Sequence, residues 1–509
     1  KGTFDGGGKT VTGLNAQTED MYAGLFGYNS GTIKNLNVET TENGVRQSLS
    51  IETGVEKKSK HMFGGAVAAY NTGNISNCTA KGLVYGYNQY SYMASGGICG
   101  MNKGTISECK NYARVYVDQW VEYTKLYGDA YAGGICAINE GFVANSSSNA
   151  QGKTVADQPY VEEAAGVYAS SRFASAIAGG GIGDNRGTVS GVSSSGTVFA
   201  NINFAVGEMS YAYAGGVCGS NTGTVSGSSS ECYATSQQHS DSNDKRRNFL
   251  MSGGISGYNK GELSGNTFNG LVTAGTDINS SVVAYAGGVC GYNYGTISGC
   301  EFGANAKITD SKLTKVHRWT NNYSPDYAGG ICGYNNKGTI TQCRAEGKLY
   351  PREYFANNNN KYYGGIVGEN NGTVSVSYST TDIILDGDSS ILIGYGLTIN
   401  KKAEDAATNN KVYAGGLSGN NNGIIENCYH YTTSANSMKA YNVGGLSGIN
   451  SGLLENCYAN CTVDASLIVN GKGICPENNG MVNSCYFRID SLDDDISEAK
   501  KTVAQMRNK

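Results

Sequence analysis

The stretch from Gly287 to Cys300 reads GGVCGYNYGTISGC and decides how the chain folds. A close copy, GGICGYNNKGTITQC, runs from Gly329 to Cys343. In generic form the motif is two glycines, an aliphatic residue, Cys-Gly-Tyr-Asn, a polar residue, Gly-Thr, a second aliphatic residue and Ser-x-Cys. Because this pattern recurs thirteen times along 509 residues, the sequence predicts a repeat architecture.

The asparagine of the motif anchors each repeat, and an aliphatic column stands on either side of it. Ile, Val or Leu occupies the positions four residues before and four after the anchor, failing only at Gly181 and shifting by one at Ile340. A glycine follows two residues after the anchor, and since Asn and Gly tolerate positive φ, we expect a turn at Asn-x-Gly. The anchors lie about 28 to about 51 residues apart and are Asn29, Asn71, Asn102, Asn139, Asn185, Asn221, Asn259, Asn293, Asn335, Asn370, Asn421, Asn450 and Asn478.

The stretches that flank the anchor are short, β-branched and bounded by glycine, which predicts strands rather than helices. A repeat of this size cannot bury its own apolar face, so it has to stack on its neighbours. We therefore expect an all-β fold, a right-handed parallel β-helix (β-solenoid) of about thirteen coils with loop insertions. A propeller needs a steadier period of about 40 to 50 residues, and helical repeats need amphipathic stretches that are absent here.

The predicted domain organisation is a single β-helix over residues 1–490, followed by a capping or linker segment over residues 491–509. Ile496, Ala499, Val503 and Met506 have helical spacing, which predicts a short C-terminal helix from 496 to 506. Such a helix would cover the last coil, whose strand edges otherwise remain unpaired.

Three repeats carry the element Gly-Leu-x-Gly, at Gly24–Gly27, Gly416–Gly419 and Gly445–Gly448. In these elements the chain resembles the bacterial GLUG-motif repeat proteins. The lead-in Gly2–Gly6 and the tail Thr502–Arg507 also look like segments that border such β-helices. The resemblance implies a domain of a large secreted or cell-wall protein, often adhesin-like, and in some cases the non-catalytic region of an immunoglobulin A-cleaving metallopeptidase.

The composition excludes several classes of partner. The chain has 38 basic and 42 acidic side chains and a formal net charge of -4, so it has no surplus of positive charge to neutralise phosphates. We therefore expect no nucleic-acid partner. No run approaches the ~18 apolar residues of a membrane span, and we expect no membrane insertion.

Thirteen of the fifteen cysteines fall into two columns, three residues before and seven residues after the anchor. Three interpretations are open: buried thiols that fill apolar columns, disulfides between neighbouring coils, and a metal site. Phe26, Leu36 and Val367 occupy the same columns, which favours the first interpretation. No Cys-x-x-Cys pair or nearby histidine supports tetrahedral ligation, and we expect neither a metal nor a cofactor.

Tyrosine, with 36 residues, also forms two columns, one eight residues before the anchor and one directly before it. In stacked coils these columns become ladders of rings that stabilise the rod by aromatic packing. A strip that binds a sugar or a protein partner is the alternative interpretation.

The sequence contains no catalytic motif. Its four histidines, at 61, 240, 317 and 430, form no His-Glu-x-x-His arrangement. Paired carboxylates for glycoside chemistry follow no spacing rule and are not excluded by this argument. We therefore expect a non-catalytic structural or adhesive region of a bacterial extracellular or cell-surface protein; the alternatives are a carbohydrate-active β-helix enzyme and the accessory region of a secreted metallopeptidase.

Binding residues are expected in the segments between motifs, because loops that leave a rigid rod tolerate variation. The candidates are Trp120, Tyr123, Trp319 and Tyr354, whose rings would stack on sugars or anchor a protein partner. Burial of these rings as loop anchors is the alternative. The expected partners are host glycans, host proteins or other segments of a larger surface protein.

Overall fold

The computed structural model describes residues 2–49, 61–88, 91–119, 128–152, 165–172, 174–203, 209–238, 248–276, 282–309, 326–350, 360–384, 412–432, 438–439, 442–461, 470–488 and 500–501. The regular elements of this part are all strands, and it contains no helix of the length and apolarity needed to cross a membrane.

Each coil passes in turn through three sheets, here called sheets 1, 2 and 3. The thirteen strands of sheet 1 are Tyr22–Ala23, Met62–Gly65, Met93–Gly96, Ala130–Gly133, Ala176–Gly179, Tyr211–Gly215, Asn248–Gly253, Val282–Gly287, Tyr327–Gly329, Lys361–Gly364, Val412–Gly415, Asn442–Gly444 and Asn470–Lys472. The thirteen strands of sheet 2 are Phe26–Asn29, Ala68–Asn71, Cys99–Asn102, Cys136–Asn139, Ile182–Asn185, Cys218–Asn221, Ser256–Asn259, Cys290–Asn293, Cys332–Asn335, Val367–Asn370, Ser418–Asn421, Ser447–Asn450 and Glu477–Asn478.

Sheet 3 follows the anchor and has 36 strands. Those that begin directly after the Asn-x-Gly turn are Thr32–Leu49, Asn74–Lys81, Thr105–Ser107, Phe142–Ala144, Thr188–Ser190, Thr224–Ser226, Glu262–Ser264, Thr296–Ser298, Thr339–Thr341, Thr373–Ser375, Ile424–Glu426, Leu453–Glu455 and Met481–Asn483. Those further along each coil are Leu83–Asn88, Lys110–Asn111, Arg114–Gln119, Ser147–Ala150, Val167–Ser171, Ser193–Ile202, Ser229–Ser230, Tyr233–Gln238, Thr267–Phe268, Leu271–Thr276, Glu301–Phe302, Lys307–Thr309, Arg344–Ala345, Lys348–Tyr350, Tyr378–Ser379, Asp382–Ile384, Tyr429–Tyr431, Met438–Lys439, Tyr458–Asn460 and Tyr486–Arg488. Thr3–Asp5, Thr10–Thr18 and Lys500–Lys501 complete the sheet.

The pairings between described strands are parallel and join equivalent positions of successive coils. Cys290 is level with Cys332, for example, and Asn293 is level with Asn335. The predicted parallel β-helix of about thirteen coils is thereby confirmed. At about 4.8 Å per coil, it forms a rod about 60 Å long.

The aliphatic columns on both sides of the anchor face the interior. Val289 and Ile297, which flank Asn293, have no exposed surface. Where Gly181 interrupts the first column, Val192 of the same coil replaces a cysteine and fills the space, with its Cγ1 3.0 Å from where a Gly181 Cβ would lie. Burial of each such side chain stabilises the fold by about 1.5 to 3 kcal/mol, which is why the columns hold the coils together.

The thirteen anchor asparagines form one hydrogen-bonded ladder along the rod. From Asn29 to Asn478, the Nδ2 of each asparagine donates to the Oδ1 of the next at 2.7 to 2.9 Å. Within each turn the amide also bonds to the backbone: Asn293 Nδ2 donates to Gly295 O, and Gly295 N donates back to Asn293 Oδ1, both at 3.1 Å. The buried amides are therefore satisfied on both atoms, as in the amide ladders of cross-β assemblies.

The expected positive φ at Asn-x-Gly is wrong. Neither the anchors nor the glycines two residues after them have positive φ among the described residues. The glycine is required by close approach instead: a Cβ on Gly295 would overlap the carbonyl oxygen of Gly261 in the preceding coil. Steric exclusion at this corner, rather than backbone conformation, therefore explains the glycine column.

Positive φ occurs at a different corner, six residues after the anchor. All thirteen coils adopt the left-handed conformation there, with φ between 46° and 62°. Nine coils place Asn or Gly at this corner, as the steric preference of the left-handed region requires. The members are Asn35, Asn77, Glu108, Asn145, Gly191, Gly227, Gly265, Gly299, Gln342 (after the one-residue insertion), Val376, Asn427, Asn456 and Ser484.

Additional strands of sheet 3 cover parts of the two terminal coils. Thr3–Asp5 and Thr10–Thr18 pair with Thr32–Leu49 at the first coil. At the last coil, Lys500–Lys501 pairs with Phe487 and Arg488, so the predicted helix from 496 to 506 is wrong at these two residues. Pairing the exposed backbone groups of the last coil outweighs a helical spacing of four apolar residues. The remaining residues of that helix lie outside the described part.

Candidate binding surface

The four predicted binding residues, Trp120, Tyr123, Trp319 and Tyr354, lie outside the described residues. Their segments, 120–127, 310–325 and 351–359, each follow a strand of sheet 3 and precede a strand of sheet 1. Each segment therefore rejoins the described rod at the start of a sheet 1 strand, next to the tyrosines of that sheet.

Two columns of rings line the outer side of the corner between sheets 1 and 2; we call them the aromatic surface. Glycine in sheet 2 lets the sheets approach closely there, since a Cβ on Gly291 would lie 2.8 Å from the Ser252 nitrogen of sheet 1. The rings of the two sheets consequently touch edge to face, Tyr285 against Tyr292 at 5.1 Å and Tyr327 against Tyr334 at 5.5 Å. The aromatic surface consists of Tyr213, Tyr258, Tyr285, Tyr292, Tyr327, Tyr334, Tyr362 and Tyr413.

Rings in adjacent coils of a column stack face to face; Tyr213, which Met251 separates from Tyr285, stacks on Tyr258 of the other column instead. Tyr327 lies between Tyr285 and Tyr362, with ring centroids 5.0 and 5.4 Å away, and Tyr292 and Tyr334 stack at 5.0 Å. The predicted tyrosine ladders are therefore present. Tyr285 and Tyr413 are buried, at 6% and 3% exposure, whereas the other six rings are partly exposed. Because their faces are occupied by neighbouring rings, these six offer ring edges and hydroxyl groups to an approaching molecule.

Several of the hydroxyls are oriented by an amide of the next coil or by one just before their own strand. Asn336 Nδ2 donates to the Tyr292 hydroxyl at 2.8 Å, and Asn371 Nδ2 donates to the Tyr334 hydroxyl at 2.6 Å. Asn360 Nδ2 donates to the Tyr362 hydroxyl at 2.9 Å. Burial also raises the pKa of Tyr334 and Tyr362, so these phenols stay protonated and their hydrogens remain available for donation.

The sheet 2 column has three successive rings at Tyr258, Tyr292 and Tyr334, and the next two coils continue it with Glu369 and Asn420, which we call the polar gap. They are level with each other and follow Tyr334 in the column. Glu369 is 9% exposed, and its Oε1 accepts from Asn371 Nδ2 and Asn422 Nδ2, both at 3.3 Å. Burial raises the pKa of Glu369, against the opposing effect of these amides and of Asn420.

Asn420 is 8% exposed, and its Oδ1 has no hydrogen-bond partner. Leaving a buried acceptor unsatisfied costs about 1 to 3 kcal/mol. Sequence reasoning missed the polar gap, although a signal existed: the residue directly before the anchor changes from Tyr to Glu and then to Asn in these coils. The change from Tyr to Glu and Asn is significant because both polar side chains are buried, and this burial can be seen only in the structure.

An ion-pair network occupies the same outer corner nearer the N-terminus. Arg186 Nε lies 2.7 Å from Asp184 Oδ2, and Lys103 Nζ lies 3.0 Å from Glu140 Oε2. Burial raises the pKa of Asp184, while the charge and hydrogen bond of Arg186 lower it. These carboxylates are paired with cations, in contrast to Glu369.

All fifteen cysteines are free and buried, and neighbouring coils are not joined by disulfides. This agrees with the interpretation of the cysteines as space-filling thiols. The Sγ of Cys290 donates to Tyr292 O at 3.2 Å, and Cys99 Sγ donates to Met101 O at the same distance. Within the described part, no three His, Cys, Asp or Glu side chains gather into a metal-binding cluster.

One serine hydroxyl contacts a histidine in the described part of the chain. Ser91 Oγ lies 2.7 Å from His61 Nδ1, and the His61 ring stacks on Tyr92 at 3.8 Å. No described carboxylate contacts the imidazole, so the pair lacks the third group that orients a catalytic histidine.

The fold and this surface define the class of the protein as a parallel β-helix with an internal asparagine ladder and an external tyrosine surface. No protein-family model, curated protein or solved structure matches the chain.

Proposed function

We propose that the chain is a non-catalytic adhesive region of a bacterial extracellular or cell-surface protein, which displays a binding surface on a rigid rod. The asparagine ladder carries this proposal. Twelve successive hydrogen bonds keep the same geometry from Asn29 to Asn478, so the interior of each coil repeats that of its neighbours. An active site has to depart from such repetition, whereas a scaffold benefits from it.

The aromatic surface supports a binding role. It runs over successive coils, so it suits an extended ligand better than a compact one. Phenol hydroxyls and amides lie side by side on it, as at Tyr292 and Asn336. Rigid aromatic side chains of this kind contribute contact area at low conformational-entropy cost.

The test is an array of glycans and host proteins probed with the full chain, run beside a screen for polysaccharide degradation. We expect binding without release of product. Trp120→Ala and Trp319→Ala test the loop residues, and Tyr292→Ala tests the described surface, each checked for an unchanged melting temperature. Release of product from any glycan would overturn the proposal.

A carbohydrate-active enzyme is the second candidate, favoured by one observation. Glu369 is a buried carboxyl among tyrosines with a raised pKa, which is the state that a general acid requires. This candidate replaces the first if the degradation screen detects product and Glu369→Gln abolishes it.

A further inference from the structure

One interior column of sheet 1 contains a pair of opposite charges. Asp326 and Lys361 are neighbours in this column, since Asp326 N donates to Ala284 O and Tyr362 N donates to Asp326 O, both at 2.9 Å. Two successive coils thus carry charges where the coils before and after them carry apolar side chains. From Met62 to Val412, the other members of the column are all buried and are Met62, Met93, Ala130, Ala176, Ala212, Leu250, Ala284 and Val412.

The two charged groups are in contact and almost completely buried. Lys361 Nζ lies 2.5 Å from Asp326 Oδ1, and the two side chains are 4% and 3% exposed. The other carboxylate oxygen, Asp326 Oδ2, accepts from the backbone nitrogen of Ala284 at 2.9 Å. The desolvation cost of a buried ion pair can exceed its Coulombic attraction, so a reaction that eliminates both charges is favoured at this position.

We propose that Lys361 and Asp326 react with each other to form an intramolecular amide bond, which links two successive coils of the rod. The reaction is a condensation in which one ammonium group and one carboxylate become one amide and one water molecule. Such a reaction consumes no oxidant, reductant or co-reactant. The cross-link is a modification site in the core, and it does not rest on the proposed adhesive function.

The contacts of the pair provide the proton transfers that the condensation requires. Nζ first gives a proton to Oδ1, because neutral groups are favoured in an apolar interior. The lone pair of Nζ then attacks Cγ of Asp326, and the electron pair that moves onto Oδ2 is stabilised by the N–H of Ala284. When Oδ2 forms the carbonyl again, the Cγ–Oδ1 bond breaks, and the Oδ1 hydroxyl takes a second proton from Nζ and leaves as water.

The rod holds the two reacting groups together. Tyr327 and Tyr362, which directly follow the pair, are level in adjacent parallel strands, so the two backbones stay side by side. An amine and a carboxyl group held in this way react far faster than the same groups free in solution, since their translational and rotational freedom has already been lost. Exclusion of water from the core also opposes hydrolysis of the amide.

The experiment is mass spectrometry of the full chain, which is allowed to fold and is then denatured and reduced. We expect an intact mass that is lower than the sequence mass by one water molecule. After digestion with trypsin, a branched peptide should join residues 319–337 to residues 353–401, because trypsin cuts after Lys and Arg but not after an acylated Lys361.

Substitutions identify the two residues of the cross-link. Lys361→Met and Asp326→Ala should each give a chain with the full mass of its own sequence. Lys348→Met is the matched control, because Lys348 is level with Asp382 of the next coil but lies 3.8 Å from it, with a side chain that is 44% exposed. The Lys348→Met chain should still be lighter than its sequence by one water molecule.

The outcomes decide the proposal without reference to binding. A folded parent chain with its full sequence mass overturns the cross-link, and this measurement holds even if the variants do not fold. A loss of water that persists in Lys361→Met also overturns it, because the dehydrated residue then lies elsewhere. A loss that disappears in Lys348→Met assigns the reaction to the wrong pair. None of these results bears on the adhesive role, which is judged by the binding array.

Discussion

The Nδ2 of Asn335 donates to the Oδ1 of Asn370 at 2.9 Å, within the range of the other ladder bonds. This holds although the turn after Asn335 contains one residue more than the other Asn-x-Gly turns. That residue is Lys337, which takes positive φ (63°), and the Asn335 amide then reaches Gly338 O at 3.0 Å. The insertion is accommodated in the turn itself. The side-chain ladder thus constrains the coils more tightly than the length of the turn does.

Removing one interior member of the ladder should destabilise the rod. Asn293→Ala leaves Asn259 Nδ2 and Asn335 Oδ1 without their mutual partner in a buried site. We expect a loss of about 2 to 4 kcal/mol, because both ladder bonds of Asn293 and its two bonds to the Gly295 backbone are lost in a buried site. The measurement is the free energy of unfolding by chemical denaturation.

The matched control is Asn478→Ala, at the exposed end of the ladder, where a single inter-coil bond is lost. Its expected cost is about 1 kcal/mol or less. Equal effects of the two substitutions would show that the ladder does not stabilise the interior.

A methyl group at the glycine column should be poorly tolerated. In Gly295→Ala the new Cβ meets the Gly261 carbonyl of the adjacent coil, and we expect a loss above about 3 kcal/mol from the forced displacement of packed backbone. Gly227→Ala is the control, because its positive φ of 54° is unfavourable for alanine but nothing lies within 4 Å of the new atom. That change should cost about 1 kcal/mol. Thermal melting of the two variants side by side distinguishes steric overlap from backbone strain.

Substitution of Val376 should stabilise the folded protein. It is 57% exposed and adopts φ of 48°, a conformation that costs a β-branched residue about 1 to 2 kcal/mol. Val376→Asn is expected to raise stability by about 1 kcal/mol, since asparagine already occupies the same corner at Asn427 (φ 54°). The reverse change, Asn427→Val, should lower it by a similar amount. A decrease on Val376→Asn would contradict the strain argument.

His430 should make stability depend on pH. Its ring is fully buried, and burial lowers its pKa from 6.5 to about 4 against the smaller opposing effect of a backbone hydrogen bond with Ser379. The unfolded chain therefore takes up a proton near pH 6.5 and the folded chain only near pH 4. The stability from this group is complete above pH 6.5 and is lost as the pH falls to about 4, by about 3 kcal/mol in total.

His430→Phe should remove this dependence. Phe268 and Phe302 occupy the equivalent position in other coils, each over a glycine, as His430 lies over Gly416. We expect the melting temperature of the variant to change less than that of the parent between pH 6.5 and pH 4.5. Parallel melting curves for the two proteins would refute the role of His430.

The fifteen thiols should be unreactive in the folded protein. All fifteen are buried, so a reagent cannot reach them. Burial also raises the pKa of Cys218 to about 12 and that of Cys232 to about 11, so little thiolate of these two forms at pH 8. A thiol reagent should modify none of the fifteen in native buffer and all fifteen after denaturation without a reductant. A shortfall in the denatured sample would reveal disulfides.

The fold could be predicted because the aliphatic columns recur in thirteen coils. A single short apolar segment does not distinguish a strand from a helix, but thirteen aligned copies of it do. The turn at Asn-x-Gly was predicted, but its positive φ was wrong and the asparagine ladder was not foreseen. Nothing in the letters Asn-x-Gly shows that the Asn293 side chain is buried and bonds to the next coil. The positive φ six residues after the anchor was not predicted from the sequence. Four coils place Glu108, Gln342, Val376 or Ser484 at this position instead of Asn or Gly. Backbone strain at those four positions is imposed by the neighbouring coils.

The candidate site was less predictable. Trp120 and Trp319 remain predictions, since they lie outside the described residues. In the sequence, Glu369 and Asn420 differ from the tyrosines of their column. An exposed Glu or Asn at these positions would not indicate a functional site, and the sequence does not show that both are buried. Their importance comes from burial between coils, which depends on residues about 35 to about 50 positions away in the chain.

The asparagine ladder also gives the rod an electrical direction. Backbone dipoles in a sheet largely cancel, because successive residues of a strand point their amides to opposite sides. The side-chain amides do not cancel, since all twelve donors point toward the C-terminal coil. With about 3.5 D per amide group, the aligned column leaves partial positive charge at Asn478 and partial negative charge at Asn29. An anion is thus favoured at one end of the rod and a cation at the other.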